Sequence, residues 1–310
     1  CQVSGGGGEG REWWGNVMRW DIDGRHVPHK EWSQFVTAGG VKYHVQITGP
    51  EDAPVLLLIH GTGATTHSFA GLAPLLAPHF RLVIPDLPGH GFTQKLYSPD
   101  PDNVAKALAA LLAELGVQPA LILGHSVGAA IAFMLAAGGH LQPQAIVSLG
   151  GALLPFEGMG KAYPSLAKAL FVNPFMPSIF SFTTRFQSMP DLLKRWTGSH
   201  SSREQVAYYE RLFRNPGHTG GALSLMAHWD LDTIERSIAH IKCPVLLLHG
   251  ERDKTVPPST SHIVAQRLAH HGTSAEHHGL PGLGHLAHEE APERHAQMVA
   301  DFARKLGMLA

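Results

Sequence analysis

Short, unbroken apolar runs punctuate the chain, each closed by turn residues. They are Val55 to Ile59 before His60-Gly61, Leu82 to Ile84 before Pro85-Asp86, and Leu121 to Leu123 before Gly124. Ala145 to Leu149 before Gly150-Gly151 and Val245 to Leu248 before His249-Gly250 continue the series. Runs of this length without alternation suit strands buried on both faces, as in a parallel sheet. Helical patterns separate them, the clearest over Asp102 to Leu115 and Val127 to Ala137. Strand alternating with helix predicts an α/β fold with a mostly parallel central sheet flanked by helices. Ahead of the series, Phe35 to Ile47 gives two short alternating segments around Gly39-Gly40, the signal of a hairpin.

The alternation breaks between about Leu154 and Arg236. This stretch has no clear strand and carries Pro155, Pro164, Pro174, Pro177, Pro190 and Pro216. It is also rich in aromatics, twelve between Phe156 and Trp229. The pattern predicts helices inserted between two sheet strands as a lid. The chain then divides into a core segment 18–153, a helical lid 154–236 and a second core segment 237–310. Most of the aromatics are expected to pack the lid onto the core. Phe156, Phe175, Trp196 and Trp229 are the candidates for lining an apolar pocket. Residues 1–17, with the glycine run Gly5 to Gly8, read as a flexible leader, and Met18 is a candidate natural start.

Composition narrows the function. Hydrophobic residues make up 44% of the 310 and charged residues 16%, enough for a sizeable core and too apolar for a disordered chain. Lys+Arg 24 against Asp+Glu 25 leaves no basic excess for a phosphate backbone, which argues against nucleic-acid binding. Two cysteines, Cys1 and Cys243, make no disulfide framework and fit a reducing, cytoplasmic setting. The longest strongly apolar stretch, Val127 to Ala137, is too short for a transmembrane segment, and peripheral association with a membrane stays open.

The sharpest local signal is Gly124-His125-Ser126-Val127-Gly128, a G-x-S-x-G pattern directly after a strand and opening a helix. A serine in such a turn is held strained with its hydroxyl exposed, and the flanking glycines avoid clashes between strand and helix. A serine hydroxyl needs a base to take its proton and an acid to orient that base. Asp253, just beyond the run Val245 to Leu248, is the candidate acid, with Glu251 its competitor. His285, in a loop before the last helix, is the candidate base, with His288 its competitor. The loop His60-Gly61-Thr62-Gly63-Ala64 lacks the Gly-Lys-Ser/Thr ending of a phosphate loop and instead suits an oxyanion hole. The amides of Thr62 and Val127 are the candidate donors. Asp86-Leu87-Pro88-Gly89-His90-Gly91 reads as a structural turn. The pairs His270-His271 and His277-His278 read as solvated loop, so neither a metal site nor a cofactor is expected.

With these elements the chain resembles the α/β-hydrolase superfamily over roughly residues 33 to 308, a helical lid at the usual insertion point included. Within it, the chain resembles the BchO-type magnesium-chelatase accessory hydrolases of bacteriochlorophyll biosynthesis. The stretches that carry this are Trp20 to Arg25, His60 to Ser68, Asn215 to Leu223, His228 to Leu231 and Leu280 to Glu290. Residue by residue, the resemblance implies Ser126 as nucleophile, Asp253 as acid and His285 as base. A serine in that place argues against dehalogenase or epoxide-hydrolase chemistry, which uses a carboxylate there. The expected activity is a serine hydrolase cleaving an ester-like bond in a large apolar substrate, with a tetrapyrrole as the candidate substrate and magnesium chelatase as a candidate partner. His218 and His228 are candidates for holding a porphyrin's magnesium axially, or for simple hydrogen bonding within the lid. A general carboxylesterase or carbon–carbon hydrolase, and a non-catalytic porphyrin carrier, stand as the alternatives.

Overall fold

The computed structural model describes residues 18–155 and 175–309. The leader 1–17, and Phe156 with the nearby aromatics Tyr163 and Phe171, lie outside the described residues. Eight strands form one sheet: β1 (Ser33–Ala38), β2 (Val41–Thr48), β3 (Val55–Ile59), β4 (Arg81–Pro85), β5 (Leu121–His125), β6 (Ala145–Leu149), β7 (Val245–Gly250) and β8 (Ala275–Leu280). Their order across the sheet is β1-β2-β4-β3-β5-β6-β7-β8. β2 runs antiparallel to both its neighbours, and every other pairing is parallel. The β1–β2 hairpin turns on Gly39 and Gly40, both at positive φ (56° and 81°), as a two-residue hairpin loop requires.

The unbroken apolar runs have a direct explanation. Successive side chains of a strand point to opposite faces, and here both faces are covered. On β3, Leu57 and Ile59 join one core layer while Leu56 and Leu58 join the other, and β7 divides in the same way. The first layer takes α1 (Pro101–Glu114), α2 (Val127–Ala137) and part of α8 (Ser259–His270), and the second takes α9 (Pro292–Lys305). α2 is buried almost all round, hence its uniformly apolar sequence. β8 corrects one expectation: His277 and His278 belong to a strand, not a loop. As the edge strand it is half solvated, so its sequence AEHHGL carries no apolar run.

Between β6 and β7 the described chain is helical: α3 (Met176–Thr183), α4 (Met189–Thr197), α5 (Arg203–Arg214), α6 (Pro216–Ala227) and α7 (Leu231–Ser237). α5 opens with a reciprocal capping box between Ser202 and Gln205. Leu192, Leu193, Val206 and Leu212 from these helices cluster with Ala64, Phe92 and Leu286, which lie on loops at the carboxyl ends of the strands. The insertion therefore sits over the sheet edge where ligands bind in open α/β folds.

Candidate functional site

Ser126 follows the last residue of β5 and precedes the first of α2. Its φ of 53° and ψ of −117° put a non-glycine residue in a sparsely populated region, the strained turn that exposes a hydroxyl. Two contacts force this. The Ser126 N–H donates to Leu149 O (2.9 Å), and its carbonyl accepts from Ala152 N (3.1 Å). A Cβ on Gly128 would lie 2.1 Å from Ile59 O, and one on Gly124 would lie 2.3 Å from Gly128 O. Only glycines let the helix approach the strands so closely.

Asp253 lies just beyond β7. Its Oδ1 accepts from the N–H groups of Thr255 (2.8 Å) and Val256 (2.9 Å), which fixes the carboxylate. Its Oδ2 accepts from His285 Nδ1 at 2.7 Å, and both side chains are almost wholly buried. With Nδ1 as the donor, the neutral imidazole keeps its lone pair on Nε2. Gly150, after β6, leaves room for the pair: a Cβ there would be 3.2 Å from Asp253 Oδ2 and 3.3 Å from His285 Nδ1. The competitors lie elsewhere. His288 is buried, with Nε2 bonded to Ser68 Oγ (2.9 Å), and Glu251 Oε1 is by Gly279 on the neighbouring strand.

His125, beside Ser126, was not singled out by its sequence, yet its Nε2 donates to His285 O at 3.0 Å and its ring lies 4.7 Å from the His285 ring. This ties the histidine loop to the end of β5. Burial, with His288 and His285 close by, holds the His125 imidazole well below the usual histidine range, so it acts as a neutral donor.

Opposite stands the loop after β3. The Cβ position of Gly61 is 3.1 Å from Ser126 Cβ, which brings this loop up to the serine. Val127 N–H is the first of α2, where no preceding turn supplies an acceptor. Three buried groups pin the loop. His60 donates from Nδ1 to Gly61 O (2.8 Å) and accepts Leu87 N–H at Nε2 (2.9 Å). Asp86 accepts Thr66 N–H (2.8 Å) and Phe92 N–H (3.1 Å), and binds His44 Nδ1 at 2.8 Å. Burial alone would raise the Asp86 carboxyl, but the interactions with His44, His60 and the Thr66 N–H together bring it down to about 2. His218 accepts Gly91 N–H at Nδ1 (3.0 Å) and donates from Nε2 to Gly63 O (3.1 Å). Both its nitrogens are taken by backbone, which removes it as a magnesium ligand, and burial lowers it to about 4.

The other candidates divide. The Trp196 and Phe180 rings stack with centroids 6.2 Å apart, and both meet the Phe213 ring edge-on. Phe213 in turn lies 3.3 Å from the Cβ position of Gly63. Trp196 thus belongs to an aromatic wall reaching the loop beside Ser126. Phe175 is largely exposed at the start of α3. Trp229 packs against the α1–α2 core layer. His228 donates from Nδ1 to Ser224 O (2.8 Å), leaving a lone pair on Nε2.

Such a strained turn, an aspartate–histidine pair and a glycine loop converge at the carboxyl ends of β3, β5 and β7 in an eight-stranded, mostly parallel sheet. The chain belongs to the α/β-hydrolase fold family, whose model matches residues 54–292. Among curated proteins it is similar to the magnesium-chelatase 30 kDa subunit of Rhodobacter capsulatus, 35% identical over 281 residues, 89% of this chain and 95% of that one. It is also similar to the bifunctional esterase/perhydrolase of Acinetobacter calcoaceticus, 29% identical over 79% of this chain and 91% of that one. Among solved structures, the haloalkane dehalogenase DbeA of Bradyrhizobium elkani shares the fold with a TM-score of 0.72 at 22% identity, covering 89% of this chain and 98% of that one. Among the described residues no helix is long and apolar enough to cross a membrane.

Proposed function

We propose that the protein is a serine hydrolase that cleaves an ester bond in a large apolar substrate. The observation that carries this reading is the buried His285–Asp253 pair, with its lone-pair nitrogen free to serve the strained Ser126. His285 Nε2 takes the Ser126 Oγ proton as Oγ bonds to the carbonyl carbon. The amides of Thr62 and Val127 hold the oxyanion that forms. Collapse breaks the ester C–O bond, the alcohol leaves with the proton from His285, and water repeats the sequence on the acyl-enzyme. Asp253 orients the imidazole throughout.

A tetrapyrrole ester is the substrate class we favour, and magnesium chelatase the associated machinery. The relative's name supports this, as does an aromatic wall suited to a flat apolar ligand. The test is ester turnover and labelling by a serine-directed phosphonate. Both are expected in the natural protein and lost in Ser126→Ala with the fold intact. Labelling that persists on another serine overturns the assignment.

A second reading, porphyrin binding without catalysis, is favoured by the chelatase relationship alone. Magnesium porphyrins are expected to bind in the micromolar range, about 8 kcal/mol, quenching tryptophan fluorescence and competing with ester turnover. Quenching without any turnover would favour the carrier. Turnover of small esters without quenching would leave a general esterase.

A further inference from the structure

The insertion does more than cover the site. At the end of α4 the turn Trp196-Thr197-Gly198-Ser199 bonds to both loops that carry the aspartate and the histidine. The N–H of His285 itself donates to Thr197 O at 2.8 Å. The next N–H, of Leu286, donates to Ser199 Oγ at 2.8 Å. On the acid side, Thr255 Oγ1 donates to Trp196 O (3.0 Å) and Lys254 N–H reaches Thr197 O (3.4 Å). Glu290 closes the clasp, one carboxylate oxygen accepting Gly284 N–H (2.8 Å) and the other His200 N–H (2.9 Å). Gly198, at φ 73°, ends the helix in the left-handed conformation, and a Cβ on it would strike Arg252 O at 2.0 Å. Ser199 is 1% exposed, and Gly284 has no room for a side chain against it. His285 is therefore held from two sides: its carbonyl by His125 on the sheet, its N–H by the insertion.

We propose that Ser199 is a positioning residue for His285, and that the base is competent only while the α4 turn is docked on the histidine loop. This rests on the serine-hydrolase reading. It makes α4 a fixed wall of the site: displacing it removes the acceptors that hold the base.

The test uses the full chain, with p-nitrophenyl acetate as substrate. Ser199→Ala should lower kcat by about 10- to 100-fold with KM changed by no more than about twofold, the pattern of a misplaced catalytic group. Phosphonate labelling of Ser126 should slow in proportion. The far-downfield proton resonance of the His285–Asp253 hydrogen bond, assigned by its absence in His285→Ala, should shift or broaden. Ser237→Ala is the control. It removes the buried Ser237–Ile234 bond at the end of α7 (2.6 Å) and should lower Tm while leaving kcat and the resonance unchanged. Should Ser199→Ala fold poorly, the partly exposed Glu290→Gln loosens the same clasp and should show a several-fold loss in kcat. Natural kcat and resonance in a folded Ser199→Ala overturn the proposal, as does an equal loss in Ser237→Ala. If the natural protein hydrolyses no ester, the serine-hydrolase reading fails, and the resonance still decides whether the clasp holds the imidazole.

Discussion

The strain at Ser126 is maintained by neighbours that leave the backbone no alternative. Its N–H and carbonyl are committed to Leu149 and Ala152, and α2 begins close against β3 because residue 128 has no Cβ. Adding one methyl at Gly128 sets a carbon against Ile59 O, and both partners are backbone, so neither yields as a side chain would. Gly128→Ala should therefore cost about 3 kcal/mol or more, read as a lowered urea midpoint. A natural midpoint would show that α2 can retreat from the strand. Asp86 is the other decisive residue at this scale. Its carboxylate organises two loops from a wholly buried position, and its depressed pKa adds stability present above the unfolded value and lost as pH falls toward about 2. Asp86→Asn keeps the shape but sets an amide where N–H donors need acceptors. It should lower Tm and loosen the loop after β3, checked by faster hydrogen exchange at Thr66.

Elements were legible where burial is two-sided. β3 and β6 have the bounds of their apolar runs because alternate residues feed separate core layers. β8 escaped because an edge strand has one neighbour and a wet face. The candidate site residues Ser126, Asp253 and His285 stood out because the first two each follow a legible strand and all three belong to a recognisable string. Thr197 and Ser199 did not: one acts through its carbonyl, the other on a backbone N–H far along the chain, and backbone partners impose no residue type. Glu289 was missed for a related reason, since its meaning comes from α5. There Ser68 Oγ (2.6 Å) and Tyr209 Oη (2.8 Å) both donate to its Oε1. Burial raises its carboxyl to about 7 against those two donors. A raised acid contributes stability that is complete below its unfolded value and lost as pH rises through about 7. Glu289→Gln, neutral at every pH, should match the natural Tm near pH 5 and exceed it by a few degrees at pH 8. Equal Tm values at pH 8 would show that the carboxylate is tolerated ionised.

Across the whole molecule, buried neutral histidines join the loops at the site. A neutral imidazole offers one donor and one acceptor, and His60 and His218 use both on backbone groups of different loops. His60, His67, His90, His125, His218 and His288 are all buried, and burial lowers the pKa of each. The folded state thus refuses protons that the unfolded chain accepts below about pH 6.5, and stability must fall as pH drops from there. Glu289 works in the opposite direction between its unfolded value and about 7, but it is one group against these six, and burial lowers His295 and His249 as well. For His218 alone the drop to about 4 corresponds to roughly 3 kcal/mol, a large share of the 5–15 kcal/mol typical of a domain. Unfolding near pH 5 should therefore take up protons on balance, the buried histidines outweighing Glu289. The measurement is Tm against pH by calorimetry, with the proton count taken from the slope of unfolding free energy. A Tm that stays level from pH 6.5 to pH 5 would show that the buried imidazoles find water or acidic partners as they charge, and that the loops are not held by neutral histidine.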